Sequence, residues 1–223
     1  MDLIVPFLTV FLSCLAIFLA AYGICAFVRW FRASRRSASL AALARKLGFQ
    51  FVGSKCSSAS DYLCATVWGR RVTPRMWNEL RGATDEGEVA YFDGSRAAGD
   101  RTTLLSICAC HTPYRFERLV IGEQTTFLGR DVSQFLCKDY MELDSAEFTR
   151  TFAVECADKK FAYDILHQRA MEFLLKRPQL RMNLFGNCVF FWYERRLPIE
   201  GVESFIADTR EFARMLPRYL ADR

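Results

Sequence analysis

With 223 residues, the chain has room for one membrane-spanning segment and one domain with its own core. A composition that is 52% hydrophobic and 14% aromatic excludes disorder over most of the length, because disordered chains lack the apolar residues to offset ordering entropy. The net charge of +5 hints at an acidic partner, but its location changes its meaning.

Six of the 30 basic residues (Arg29, Arg32, Arg35, Arg36, Arg45 and Lys46) and one of the 25 acidic residues (Asp2) precede Leu47, which leaves 24 of each sign beyond it. The globular part is thus balanced. Nucleic-acid-binding domains carry their excess charge on the folded surface, so no nucleic-acid partner is expected.

From Leu3 to Val28 there is no charged residue. Such a run predicts a transmembrane helix over residues 1–30. A cleaved signal peptide would begin with basic residues and end in a small-residue cleavage site, whereas here the basic residues follow the apolar core. Trp30 beside Arg29 and Arg32, with Arg35 and Arg36 after them, suits the membrane surface. The positive charge on the C-terminal side predicts an N-terminus outside and a cytoplasmic domain, at the bacterial inner membrane. Ser13, Ala16, Ala20 and Gly23 recur at spacings of three, four and three, a face on which another transmembrane helix could approach closely. Of the nine cysteines, Cys14 and Cys25 lie in the apolar run, leaving seven beyond it. Reduced core thiols in a cytosolic domain explain this odd number with the fewest assumptions.

Residues 31–48 read as a basic juxtamembrane segment and a connecting helix, with Ser37 or Ser39 as cap and Gly48 as the C-terminal stop. The remainder, 49–223, reads as an α+β domain. Phe49–Val52 alternates like a strand, Ser54–Arg75 is irregular, and Glu88–Phe92, Arg101–His111 and Arg115–Ile121 are strands. Asp158–Arg177 predicts one helix, stopped by Pro178. Arg181–Phe185 and Cys188–Tyr193 flank Gly186-Asn187, which predicts a hairpin. Pro198 opens a last helix with Val202, Phe205, Ile206, Thr209, Ala213 and Leu216 on one face. Hairpins without strand–helix–strand alternation imply a mainly antiparallel sheet with packed helices.

The stretch Phe161-Ala162-Tyr163 through Leu166-His167-Gln168-Arg169-Ala170-Met171-Glu172-Phe173-Leu174-Leu175, with Leu80-Arg81-Gly82 and Val89-Ala90-Tyr91-Phe92-Asp93, resembles uncharacterised bacterial single-pass membrane proteins with a cytoplasmic α+β domain. The resemblance implies this layout, with a strand pair and an amphipathic helix at the C-terminus. It brings no activity, since the group has none established.

No Gly-x-Gly, Gly-x-Ser-x-Gly or His-Glu-x-x-His occurs, and His111 and His167 are the only histidines. The densest set of reactive residues is Cys108-Ala109-Cys110-His111. In a strand, the period of two sends Cys108 and Cys110 to one face and His111 to the other, so metal ligation would need a bend at Thr112-Pro113. His167, with Tyr163 and Asp164 one helical turn before it, is the other acid–base candidate. Both sets read more simply as structural, so no catalytic residue, metal or cofactor is assigned. The expected function is a non-enzymatic accessory or scaffold subunit, partnered by the lipid bilayer and other membrane protein subunits of a larger complex. The H subunit of purple-bacterial photosynthetic reaction centres shares this layout. An enzyme built on His167 or the Cys108/Cys110 pair, and a lipid- or ligand-sensing module, are the alternatives.

Overall fold

The computed structural model describes residues 4–53, 75–98, 100–123, 126–127, 130–131, 139–217 and 219. By contacts the chain divides into two compact units, Met1–Ser39 and Leu40–Arg223.

Helix α1 runs from Ile4 to Leu47. It contains a stretch long and apolar enough to cross a membrane, near the N-terminus. Ser39 does not cap a separate helix as the sequence suggests. Its hydroxyl donates to the Arg35 carbonyl one turn back (3.0 Å), which leaves the ladder unbroken. Gly48 ends α1 at φ +71°, where Phe49 N–H reaches the Ala44 carbonyl at 2.8 Å.

The second unit is α+β, with a seven-stranded sheet paired antiparallel throughout. Its strands are β1 (Gln50–Gly53), β2 (Arg75–Thr84), β3 (Gly87–Ala98), β4 (Arg101–Glu123), β7 (Tyr140–Met141), β8 (Phe152–Cys156) and β9 (Arg181–Tyr193). A two-stranded ribbon, β5 (Thr126–Phe127) with β6 (Arg130–Asp131), stands apart. The sheet order is β1-β2-β3-β4-β8-β7, and β9 pairs along the other edge of β4. Among the described residues four helices complete the unit: α2 (Ala146–Thr151), α3 (Lys159–Ile165), α4 (Gln168–Leu175) and α5 (Ile199–Met215).

The sheet is apolar on both faces. One carries the main core, in which Leu80, Val89, Tyr91, Val189 and Phe191 meet Leu40 and Leu43 of α1 and Val202, Phe205 and Phe212 of α5. The other carries a smaller cluster of Ala90, Phe92, Leu105, Ile107, Ala109, Cys188, Phe190 and Trp192. Helix α5 buries the stripe read from its sequence, Thr209 included. Each fully buried Phe on these faces contributes about 2 kcal/mol through removal from water.

Three expectations need correction. Arg101–His111 and Arg115–Ile121 belong to one strand, β4. Pro113 is tolerated because β3 pairing ends at His111, β8 pairing starts at Leu119, and the β9 register skips from His111 to Phe116, so Pro113 loses no ladder bond. Gly186-Asn187 is not a hairpin turn but a kink within β9, with Gly186 at φ +60° opposite Phe116. The two long strands bend together there, and the face carried by even-numbered residues changes, from Leu184 in the main core to Phe190 in the smaller cluster. The helix expected over Asp158–Arg177 breaks at Leu166 (φ −90°, ψ 45°) into α3 and α4. Ser54–Pro74, expected to be irregular, lies outside the described residues.

Candidate functional site

In the N-terminal unit, Ser13, Ala16, Ala20 and Gly23 all fall on α1. Ala20 and Gly23 are exposed, and a Cβ added at Gly23 would meet nothing within 4 Å. The side chains of Ser13 and Ala16 lie outside the described residues. One turn on, Phe27 and Phe31 stack (6.1 Å, 15°), Trp30 sits 5.9 Å from Phe27, and the Arg35 guanidinium lies 4.6 Å above the Phe31 ring. Arg29, Arg32 and Trp30 are exposed, and Arg36 is half-buried.

In the domain, Cys108 and Cys110 point into the main core and are fully buried. Burial pushes both thiols up to about 12; a hydrogen bond with Thr209 at Cys108 and the charge of Arg210 near Cys110 offset it only in part. A thiol held there is neither a thiolate nucleophile nor a ready metal ligand at neutral pH. His111 falls on the opposite face. There it pairs in register with Cys188 across the strands, and its Nδ1 lies 3.3 Å from Asn187 Oδ1. That neighbour was invisible in the sequence, because it depends on the register of β4 and β9. Among the described residues no group of three metal-ligating side chains forms.

His167 does not share a helical face with Tyr163 and Asp164, since the break at Leu166 separates them. It is the N-cap residue of α4, and its Nε2 lies 3.0 Å from the Met215 carbonyl, the last residue of α5. A carbonyl only accepts, so Nε2 carries the proton. His167 thereby satisfies one of the orphan carbonyls at a helix end and ties α4 to α5.

The strongest polar assemblies are ones the sequence reading did not single out. In β2, a bulge between Trp77 and Leu80 sets Asn78 at φ +56°. Its amide donates to Asp93 (2.9 Å), and the Tyr91 hydroxyl lies 2.8 Å from the other Asp93 oxygen and 3.1 Å from Ser106 Oγ. The Ser106 hydroxyl also accepts from the Leu197 N–H at 2.9 Å, which ties the approach to α5 to the sheet. Asp93 and Ser106 have no exposure at all, so each bond offsets a desolvation cost of about 1–3 kcal/mol.

Glu86, in the β2–β3 turn, forms the second assembly. Burial by itself would raise its carboxyl, but hydrogen bonds from Arg210, Thr84 and Arg214 outweigh it and hold the group at about 2. Arg210 Nε is 2.9 Å away and Arg214 completes the clamp. Arg177 grips Asp208 with two nitrogens (2.9 and 2.6 Å) while stacking 3.8 Å above Phe173, and Lys46 pairs with Glu203 at 2.7 Å. Helix α5 is therefore held by charge at three points along its length. An open cleft of about 440 Å³ lies between Asp85, Glu86, Pro113, Tyr114, Ala213, Arg214 and Leu216. Among the described residues lining it there is no histidine or cysteine. The Ser106 contact and the Glu86, Arg177 and Lys46 pairs thus hold α5 and the loop before it to the rest of the unit.

The comparisons bear on the fold alone. No family model and no curated protein matches this sequence. Among solved structures, the mycobacterial trehalose monomycolate transport factor A, TtfA, is similar, with a TM-score of 0.54 at 14% identity. The fold has been seen before. The match covers 81% of this chain and 96% of that one, so the α+β architecture extends over nearly all of TtfA.

Proposed function

We propose that this chain is a non-enzymatic accessory subunit, anchored by α1, whose α+β domain docks on the cytoplasmic face of a larger membrane protein complex. The observation that carries the reading is the pairing of a membrane-length apolar helix with a fold shared with a transport factor. Supporting it, the histidines and buried thiols of the domain occupy structural positions. The basic residues after Val28 favour the cytoplasmic orientation. The partner is a membrane protein assembly of the transport kind rather than a nucleic acid, and the small-residue face of α1 is where a second transmembrane helix would pack.

The test is purification of the full chain in mild detergent after cross-linking in the membrane. A stoichiometric membrane-protein partner is expected, retained by Leu19→Ile and weakened by Gly23→Leu, which leaves hydrophobicity and insertion unchanged. Recovery as a lone monomer under cross-linking would overturn the accessory reading. Labelling of the domain cysteines by an impermeant maleimide in intact cells would overturn the orientation.

A further inference from the structure

The segment that leaves the apolar core of α1 has two unlike sides. At about 100° per residue, Arg29 and Arg32 fall within a sector of about 60°, and Arg36 continues the same line a turn later. Trp30, Phe27 and Phe31 occupy the other side, joined by ring contacts at 5.9 and 6.1 Å. Arg35 belongs to the aromatic side, because its guanidinium lies over Phe31 at 4.6 Å. We propose that Arg29 and Arg32 form a ridge that grips the phosphodiester of an anionic phospholipid headgroup, while the aromatic side sits in the apolar boundary of the same leaflet.

Three observations carry this. First, the uncharged run Leu3–Val28 is about 39 Å long as a helix, more than the roughly 30 Å of hydrocarbon, so Arg29 emerges at headgroup level. Second, Arg29 and Arg32 are exposed and one turn apart, a rise of about 4.5 Å, which lets two planar guanidiniums converge on one phosphate. Third, no acidic residue occurs between Leu3 and Lys46, so the helix itself supplies no competing carboxylate. Large rings left 61% exposed at Phe27 and 65% at Trp30 are costly in water and suited to a bilayer interface. The proposal rests on α1 spanning the membrane and adds the lipid class and the residues that select it.

The test uses the full chain reconstituted in bilayers, with spin-labelled phosphatidylglycerol or phosphatidylcholine as probe and the motionally restricted lipid fraction as readout. Wild type is expected to prefer phosphatidylglycerol about fivefold for each arginine in the ridge. Arg32→Gln should lose about that factor and Arg29→Gln/Arg32→Gln nearly all preference, whereas Arg35→Gln, an equal loss of charge, should keep most of it. Equal losses in Arg32→Gln and Arg35→Gln would overturn the ridge in favour of undirected attraction. Displacement of the lipid by millimolar inorganic phosphate, but not by chloride at equal ionic strength, would reassign the site to a soluble anion. Alkaline carbonate extraction separates the two levels. Protein that washes off the membrane refutes the spanning reading, whereas integral protein without lipid preference refutes the ridge alone.

Discussion

Removing the charge of Glu86 isolates the clamp on α5. The side chain is 5% exposed and held by Arg210, itself 33% exposed, and by Arg214, 58% exposed. Moving a carboxyl from 4.5 to about 2 corresponds to on the order of 3 kcal/mol of folding free energy. Solvent screening of the outer guanidinium lowers that to about 2 kcal/mol. The folded carboxyl is the stronger acid, so its contribution is complete above 4.5, the ordinary value, and disappears as pH falls from there toward 2. Glu86→Gln is therefore expected to destabilise the domain by about 2 kcal/mol at pH 7 and by little at pH 2. Urea unfolding of the full chain in detergent, followed by circular dichroism across this range, reads both values. The difference between wild type and variant cancels the other carboxylates. A variant that unfolds at the wild-type midpoint at pH 7, with the wild-type acid dependence, would refute the clamp.

Two further outcomes follow from the geometry. Cys108 and Cys110, pushed up to about 12 by burial, should resist alkylation at pH 8 in the folded chain and react once urea unfolds it, as mass spectrometry of the labelled protein would show; rapid native labelling would contradict their burial. Gly186→Ala should cost about 1 kcal/mol, because φ +60° is strained for a residue with a Cβ, whereas Gly122→Ala in the same sheet should be milder; equal melting temperatures for the two variants would count against the kink.

Whatever depends on neighbours a few residues apart is legible in the chain itself. The charge-free run Leu3–Val28, the stop at Gly48, the α5 stripe from Val202 to Leu216 and the α+β class were legible because helical and strand periods are local patterns. The split of Cys108 and Cys110 from His111 followed from the same period of two. What depends on the strand alongside is not legible there. Pro113 stays inside β4 only because neither edge needs its missing N–H, and Gly186-Asn187 bends β9 rather than reversing it because β4 bends opposite. Likewise, His167 reaches the last carbonyl of α5 because the chain breaks at Leu166, a contact 48 residues away in sequence. The Asn78–Tyr91–Asp93–Ser106 network joins residues of β2, β3 and β4, and the Glu86 clamp joins the β2–β3 turn to α5. Each of those residues alone looks like an ordinary polar group; the register of the sheet buries Asn78, Tyr91, Asp93 and Ser106 and makes their pairing obligatory, and the docking of α5 brings Arg210 and Arg214 onto Glu86.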